Sequence, residues 1–370
     1  MHEDLKCSQS YTFGIGLSKD ISPKFKQLYE ELSHFGELNK ETVPDHVDIY
    51  FVDFGTGHEG AMRYKNKNFQ RGLKYLEKNK NKKTLVFGRF PIPDYLTKQQ
   101  ELEISNNYHD ENHNNQYSQR GVWKIGKKLK GDKFIFRPEN SLAGGRGIQF
   151  TTHNILEKPG LLIKYFENPL LYEGTYNQKK VKSRVELRVF GTVRYNDLQI
   201  WRYKECVLRI GSPKYGDYQF PPKHESQTIL NPAMNIKDGI KDFFTPLNSE
   251  FRTCGLSKDL EHILKKNNLK IEDVWKNIDK ALVDYYKSHL EIIHMDKKLL
   301  KNWCHSFNAD IGINEIGKVR IYEVHSSPTL KPSSNYEEDI GLVIQKATYS
   351  SILVLLEPKN AEQLGQIKIF

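Results

Sequence analysis

The sequence contains too little cysteine for a disulfide framework or a zinc knuckle. Four cysteines are spread over 370 residues and none forms a CxxC pair. No apolar run approaches the length that crosses a bilayer. The first ten residues, MHEDLKCSQS, also lack the apolar core of a signal peptide. We therefore expect a soluble, cytoplasmic protein without a membrane-spanning segment.

The sequence has no excess of acidic residues either. Lys and Arg number 56 against 46 Asp and Glu, which leaves a net charge of +10. A positive surface favours acidic partners, although dispersed charge is also typical of an ordinary solvated surface. Because no nucleic-acid motif accompanies the charge, we expect an acidic protein or peptide partner and no specific nucleic-acid binding.

At 370 residues the chain is long enough for two or three lobes that share one site. We predict an independent N-terminal α/β lobe over 1–104, a central subdomain over 133–185 and a C-terminal subdomain over 186–370. Between them, Ser105–Gln119 is polar and Asn-rich, which predicts a loop in a linker over 105–132. The predicted strands of the first lobe are Tyr11–Leu17, Val47–Phe54 and Thr84–Phe87, and its predicted helices are Phe25–Leu32 and Phe69–Leu76.

A glycine-rich turn follows the predicted strand Lys133–Phe136. Three of the four residues 144–147 are glycine, and Arg137 and Arg146 supply positive charge on either side. Glycines let backbone N–H groups approach an anion closely, so the turn suits a lid over phosphates. It is not a Walker loop, which needs GKS or GKT before a helix, and an ordinary hairpin turn is the alternative.

The next predicted strand, Leu161–Tyr165, leads into KYFENP at 164–169, where the proline ends pairing. Backbone groups at the end of such a strand can read a purine edge while apolar neighbours enclose the ring. Lys164, Tyr165 and Phe166 are therefore predicted to form an adenine slot.

Strand Val185–Val193 alternates an apolar face with a face that carries Glu186 and Arg188. A structural ion pair is the alternative to a functional role for these two charges. Further patterns predict a strand and two helices, which are Trp201–Ile210, Val274–Ile293 and Asp339–Leu356.

Two alternating runs, Ala309–Ile313 and Val319–Val324, flank a polar turn and predict a hairpin. A turn centred between Ile316 and Gly317 makes Asp310 and Glu323 cross-strand partners. His325 follows Glu323 by two residues and shares its face. Two carboxylates this close repel unless a cation lies between them, and oxygen ligands suit Mg²⁺. The alternative is a surface hairpin with solvated acids.

Taken in order, these elements resemble the tubulin tyrosine ligase-like family of ATP-grasp ligases over roughly 133–330. The motifs that carry the resemblance are IKYFENPLL at 163–171, VELRVF at 185–190, WRYKECVLRIGSPKY at 201–215 and IYEVHSSP at 321–328. The last is similar to the family's LLEVN-x-SP. The resemblance implies an α/β (α+β) ATP-grasp fold with an N-terminal lobe, a central lid and a C-terminal antiparallel sheet with helices.

The resemblance also implies roles at the nucleotide. Arg137 stands where the family has a Lys that contacts nucleotide phosphates, and the planar fork of Arg also suits phosphate. Lys164, Tyr165 and Phe166 stand at the adenine hinge. Ile163 replaces a Gln that hydrogen-bonds the base.

Further roles concern the substrates. Arg184, Glu186 and Arg188 match a Lys-x-Asp-x-Arg segment near the ribose, the phosphates and the incoming amino acid. Arg209 matches a second arginine that grips the amino acid's carboxylate. Asn231 matches the end of the family's Leu-Thr-Asn element. The resemblance therefore implies that Arg188 and Arg209 are the catalytic arginines.

In the hairpin, Asp310, Glu323 and His325 match the Mg²⁺ ligands Asp, Glu and Asn of the family. The histidine is a departure, because a nitrogen ligand favours softer metals such as Mn²⁺. The glycine-rich turn is also one residue longer than usual. These departures leave altered nucleotide handling, another metal preference or a decayed enzyme open.

The activity that the resemblance implies is that of a monomeric, ADP-forming carboxylate–amine ligase with ATP and Mg²⁺ as cofactors. It would join a free amino acid to an acidic protein or peptide, such as a tubulin tail, through an acyl phosphate. Two alternatives stay open, which are a ligase for a non-tubulin peptide and a nucleotide-binding pseudoenzyme that binds an acidic partner.

Overall fold

A computed structural model describes most of the C-terminal two thirds of the chain and shorter parts of the N-terminal third. The described residues are 10–15, 32–34, 36–39, 46–51, 74–79, 83–88, 98–111, 120–138, 148–176, 178–195, 197–223, 227–228, 254–290, 300–325 and 338–370. None of the helices in these ranges is both long and apolar enough to cross a membrane.

One large sheet contains eleven of the described strands. It begins with β1 (Tyr11–Ile15), β2 (Gly36–Asn39), β3 (Ile49–Phe51) and β4 (Leu85–Phe87). Its C-terminal strands are β9 (Leu171–Tyr176), β10 (Lys179–Arg194), β11 (Gln199–Ile210), β12 (Cys254–Gly255), β13 (Trp303–Ile313), β14 (Val319–His325) and β15 (Gln366–Lys368). The main strand order is β12-β11-β10-β13-β4-β3-β1-β2.

A second sheet of four strands lies apart from the first in hydrogen bonding, with the order β5-β8-β6-β7. Its strands are β5 (Gly121–Val122), β6 (Phe134–Pro138), β7 (Gln149–Thr151) and β8 (Gly160–Lys164). All of its pairings are antiparallel. The residues of the predicted adenine slot leave this sheet at the end of β8.

Four α-helices have described bounds, namely α1 (Lys98–Glu111), α2 (Ser257–Lys266), α3 (Ile271–Leu290) and α4 (Glu338–Leu356). Residues 74–78 are also helical, and short 3₁₀ turns occur at Leu32–His34, Pro213–Tyr215 and Pro358–Asn360. In α3, Ile278, Leu282 and Tyr286 are buried at a spacing of four residues, which gives the helix one apolar face toward the sheet.

The two faces of β10 have different surroundings. Val185, Leu187 and Val189 are fully buried in the main core with residues of α2 and α3. On the other face, Phe190 packs with residues of α4. The predicted alternation along this strand and the predicted C-terminal helix are thus confirmed.

Two predictions are wrong. The N-terminal lobe is α/β but not independent, because β4 pairs in parallel with β13 and continues the same sheet. Ser105–Glu111 is not a loop but the end of α1. Leu102 of this helix packs on β8, and the Asn106 side chain bonds the backbone of Gly121. Tertiary contacts therefore stabilise a helix that its polar composition does not favour.

The predicted elements Trp201–Ile210 and Asp339–Leu356 agree closely with the observed β11 and α4. Two predicted helices of the first lobe are only partly described. The helix predicted over Phe25–Leu32 is described only at Leu32, and Phe69–Leu76 only from residue 74. In the region predicted to be mainly helical after residue 238, α2 and α3 are present, while residues 229–253 and 291–299 lie outside the described ranges.

Gly191 yields a test of this packing. The register of β10 and β11 shifts between Val189 and Gly191. A Cβ atom at position 191 would collide with the Trp201 carbonyl oxygen and lie 2.5 Å from the Phe307 ring. Gly191→Ala should therefore lower the free energy of unfolding by about 1–3 kcal/mol. Urea unfolding measures this loss, and an unchanged midpoint and slope would contradict the packing.

Candidate active site

The candidate site lies on one face of four adjacent strands, β11, β10, β13 and β14. Side chains of paired residues share a face of an antiparallel sheet. One row across these strands is Arg209, Glu186, Gly312 and Arg320, and the next is Val207, Arg188, Asp310 and Glu323. The rows bring most of the predicted catalytic and metal-binding side chains to one surface.

A β-bulge sets the register of the hairpin. Near the turn, Ile311 pairs with Ile321, so an unbroken register would place Tyr322 opposite Asp310. The register shifts between Asp310 and Ile311, and Glu323 becomes the partner of Asp310. The predicted pairing of Asp310 with Glu323 is confirmed, although the turn itself is centred one half-residue earlier, at Ile316.

Asp310 lies between two arginines. Its Oδ1 accepts hydrogen bonds from Nε of Arg188 at 2.8 Å and lies 2.9 Å from Nη2 of Arg209. Its Oδ2 accepts a second bond from Arg188 at 3.0 Å. Burial by itself raises the pKa of Asp310, but the two guanidinium groups outweigh it and hold this pKa well below the ordinary range. Asp310 is therefore ionised at neutral pH.

Glu186 completes the buried charge network. Its Oε1 accepts from Arg184 at 2.9 Å and its Oε2 from Arg209 at 3.3 Å. Burial raises the pKa of this carboxyl group, and the arginines offset that rise only in part. Arg209 thus bridges the two carboxylates, and its side chain is only 5% exposed.

His325 and Glu323 form the exposed edge of the site. Nε2 of His325 lies 3.6 Å from Oδ2 of Asp310 and 3.8 Å from Oε2 of Glu323. The side chains of His325 and Glu323 are 40% and 44% exposed, against 14% for Asp310. The three predicted metal ligands therefore do lie together, with one buried and two accessible.

Asp310, Glu323 and His325 fit a divalent cation only if the cation arrives together with anionic phosphates. No group of three or more His, Cys, Asp or Glu in the described ranges already has the spacing of a metal site. Two carboxylates and an imidazole are nevertheless suitable ligands for Mg²⁺ or Mn²⁺. Since Asp310 already accepts from two arginines, the set fits a cation that arrives with anionic phosphates.

The predicted adenine slot adjoins this face through Arg320, which the sequence patterns did not single out. Nη1 of Arg320 donates to the carbonyl oxygen of Lys164 at 3.2 Å, and its guanidinium lies 4.7 Å from the centre of the Phe166 ring. Burial lowers the pKa of Arg320. Simple alternation sets Arg320 and Glu323 on opposite faces, and only the bulge at Tyr322 brings them to the same one.

Aromatic rings surround Arg184 on the side of the slot. Its guanidinium lies 5.8 Å from the Tyr165 ring centre and 5.1 Å from that of Tyr322. The hydroxyl groups of Tyr165 and Tyr218 are hydrogen-bonded. Phe220 packs against Tyr165 with ring centres 4.8 Å apart. Tyr218 and Phe220 are thus further residues of the site region that no motif had indicated, and Tyr322 is one to which the motif IYEVHSSP assigned no role.

The remaining predicted residues are less well placed. Arg137 lies on β6 opposite Leu161 of β8, in the small sheet. Arg146 and Asn231 lie outside the described residues. Their predicted roles, like those of the other site residues, stay predictions.

Comparison with known families identifies the chain. The sequence model of the tubulin-tyrosine ligase family matches residues 60–360. The chain belongs to this family. The resemblance seen in the motifs from 163 to 328 is therefore confirmed, and the match extends into the N-terminal lobe. No curated protein matches the chain.

One solved structure supports the fold of this family member. It is the C-terminal domain of K. lactis Pby1, an ATP-grasp enzyme that interacts with the mRNA decapping enzyme Dcp2. The two share 12% sequence identity with a TM-score of 0.56, over 97% of this chain and 98% of the other. The tubulin-tyrosine ligase family member described here thus has the predicted ATP-grasp fold.

The pKa of Asp310 leads to a test of the charge network. In the unfolded chain an aspartate has a pKa of about 3.9. Because the folded pKa is lower, ionised Asp310 stabilises the fold above that value, and this stabilisation is lost as the pH falls toward the folded pKa. Asp310→Asn should cost about 3–5 kcal/mol at pH 7, since it removes a largely buried charged partner from both Arg188 and Arg209.

The difference in unfolding free energy between wild type and Asp310→Asn should then shrink as the pH is lowered from about 5 to about 3. Urea unfolding at several pH values measures it. Glu315→Gln, at an exposed carboxylate of the same hairpin, is the control and should change stability by less than about 0.5 kcal/mol. A cost of Asp310→Asn that did not vary with pH would contradict the assignment.

Proposed function

We propose that this protein is an ATP-dependent, ADP-forming ligase that joins a free amino acid to an acidic protein or peptide through an acyl phosphate. One observation carries the proposal. Arg188 and Arg209 lie side by side on Asp310, in a family of ligases, next to the accessible Glu323 and His325. Arginine side chains that can bind a carboxylate, and side chains that can bind the metal ion of a metal–nucleotide, thus lie on one surface.

In the proposed reaction, a carboxylate oxygen of the acidic acceptor attacks the γ-phosphorus of ATP and ADP leaves. The amine of the amino acid then attacks the acyl carbon, loses a proton, and inorganic phosphate departs. Positioning and charge neutralisation supply most of the catalysis in such phosphoryl transfers. When bound, Mg²⁺ would neutralise the phosphates, with Asp310, Glu323 and His325 as its protein ligands.

The side chains of this site have distinct proposed tasks. Arg188 is 20% exposed and can turn its guanidinium toward the acyl phosphate and the tetrahedral intermediate. Arg209 binds the carboxylate of the amino acid. Lys164, Tyr165 and Phe166 hold the adenine, and Arg320 keeps this segment against β14.

The substrate proposal rests on charge. The chain carries a net charge of +10. Lys180 and Lys182 extend the face of Arg184 along β10 into solvent, with side chains 83% and 55% exposed, and share the single carboxylate of Glu173. An acidic tail such as that of tubulin fits this surface, and so does an acidic peptide from another protein. We also propose a cytoplasmic location and a monomer.

A binding protein without turnover is the second candidate, and the engagement of Asp310 by two arginines favours it. Such a protein would use the same lobes for a nucleotide and an acidic partner. Metal-dependent formation of ADP separates the two candidates, because only the ligase releases it.

The direct test is ADP formation and mass-spectrometric detection of amino-acid addition to acidic peptides. Glu323→Gln should lower the rate roughly 100-fold, because loss of a metal ligand removes about 2.7 kcal/mol of transition-state stabilisation. Glu315→Gln removes an exposed carboxylate outside the site and should keep the wild-type rate. Equal background rates for wild type and Glu323→Gln, over several metals and amino acids, would contradict the proposal.

The histidine at position 325 gives a second test. His325→Asn replaces a nitrogen ligand by an oxygen ligand, and oxygen is preferred by Mg²⁺. We expect the variant to remain active and its ratio of Mg²⁺- to Mn²⁺-supported rates to increase. Rates measured with each metal check this. Loss of activity in a folded variant would show that His325 has a different task.

A further inference from the structure

Asp310 has almost no capacity left for a metal ion in the structure. A carboxylate offers about four lone-pair positions. Oδ1 is contacted by Arg188 at 2.8 Å and by Arg209 at 2.9 Å, and Oδ2 by Arg188 at 3.0 Å. The remaining position on Oδ2 is on the side of His325, 3.6 Å away. The carboxylate is therefore saturated by guanidinium groups on its buried side.

The charges around Asp310 oppose a cation on its own. Arg184, Arg188 and Arg209 bring three positive charges, and Glu186, Asp310 and Glu323 bring three negative ones, so the charges of this network already balance. A divalent ion would leave an excess of two positive charges. Charges interact strongly at low effective dielectric constant, so the ion needs either added phosphate charge or the departure of an arginine.

We propose that Arg188 and Arg209 are internal cations that keep the divalent-metal position at Asp310 closed until a phosphate-bearing ligand arrives. This inference rests on the proposed function, since it concerns the order of events at that same site. When a metal–nucleotide takes Asp310, the displaced guanidinium of Arg188 becomes available for a carboxylate substrate. Metal–nucleotide binding and carboxylate binding then favour each other, as linkage requires.

The exposure of the two arginines indicates which one moves. The side chain of Arg188 is 20% exposed and lies next to the accessible edge of the site. Arg209 is 5% exposed and is also held by Glu186. Arg188 has solvent into which it can turn, whereas departure of Arg209 leaves Glu186 with one buried partner fewer. Arg188 is therefore the movable part and Arg209 the fixed one.

The test measures Mn²⁺ binding to the nucleotide-free protein by electron paramagnetic resonance. Arg188→Gln opens Asp310 and should bind Mn²⁺ at least tenfold more tightly than Arg184→Gln. Both variants lose one positive charge in the same network, but Arg184 contacts Glu186 and not Asp310. The comparison thus separates direct closure from a general gain in electrostatic attraction.

Equal affinity of the two variants, including no measurable binding in either, would overturn the proposal. Arg188→Gln combined with Asp310→Asn should lose the gain, which assigns the Mn²⁺ to Asp310; a retained gain would also overturn it. If circular dichroism shows that Arg188→Gln does not fold, Arg209→Gln replaces it, because it frees Oδ1 of the same carboxylate.

A second measurement uses a non-hydrolysable ATP analogue. The analogue should increase Mn²⁺ affinity by a larger factor in wild type than in Arg188→Gln, where the position is already open. An equal factor in both would contradict closure by Arg188. If the proposed function is wrong, no variant binds the analogue, and the nucleotide-free comparison still decides the present inference.

Discussion

The ion pair between Asp310 and its two arginines is the interaction on which the rest of this site depends. Charges largely removed from water are costly unless each has a partner with good hydrogen-bond geometry. Asp310 and Glu186 supply the partners for Arg184, Arg188 and Arg209, and these residues belong to three neighbouring strands. The network therefore requires β10, β11 and β13 to lie side by side in one register, and the same register presents the charges to a ligand.

The opposite face of the same strands adds the stability of a packed apolar core. Val185, Leu187 and Val189 alternate with the charged residues of β10 and are buried under α2 and α3. Beyond Arg188 the charged face becomes apolar at Phe190, which α4 covers. The reactive groups thus stand on the backbone of a well-packed sheet and not on loops, which favours precise positioning. A small shift of Arg188 can then change the site without disturbing the core.

The bulge at Tyr322 brings side chains from two parts of β14 to the same face of the sheet. It brings Arg320, which touches the predicted adenine segment, to the face that carries Asp310 and Glu323. A ligand that spans a base and a metal-bound phosphate would contact β14 at both ends. The geometry of β14 would therefore relate the proposed nucleotide to the proposed metal ion.

The sequence by itself determined the two faces of β10, the pairing of Asp310 with Glu323, and the resemblance to the family. These features depend on alternation over a few residues and on short motifs. Tertiary structure alone decided that Arg188 lies on Asp310, a pair separated by 122 positions, that β4 continues the sheet beside β13, and that Ser105–Glu111 is helical. The physical reason is that local periodicity encodes burial, whereas the neighbour of each strand or helix depends on how the whole chain packs.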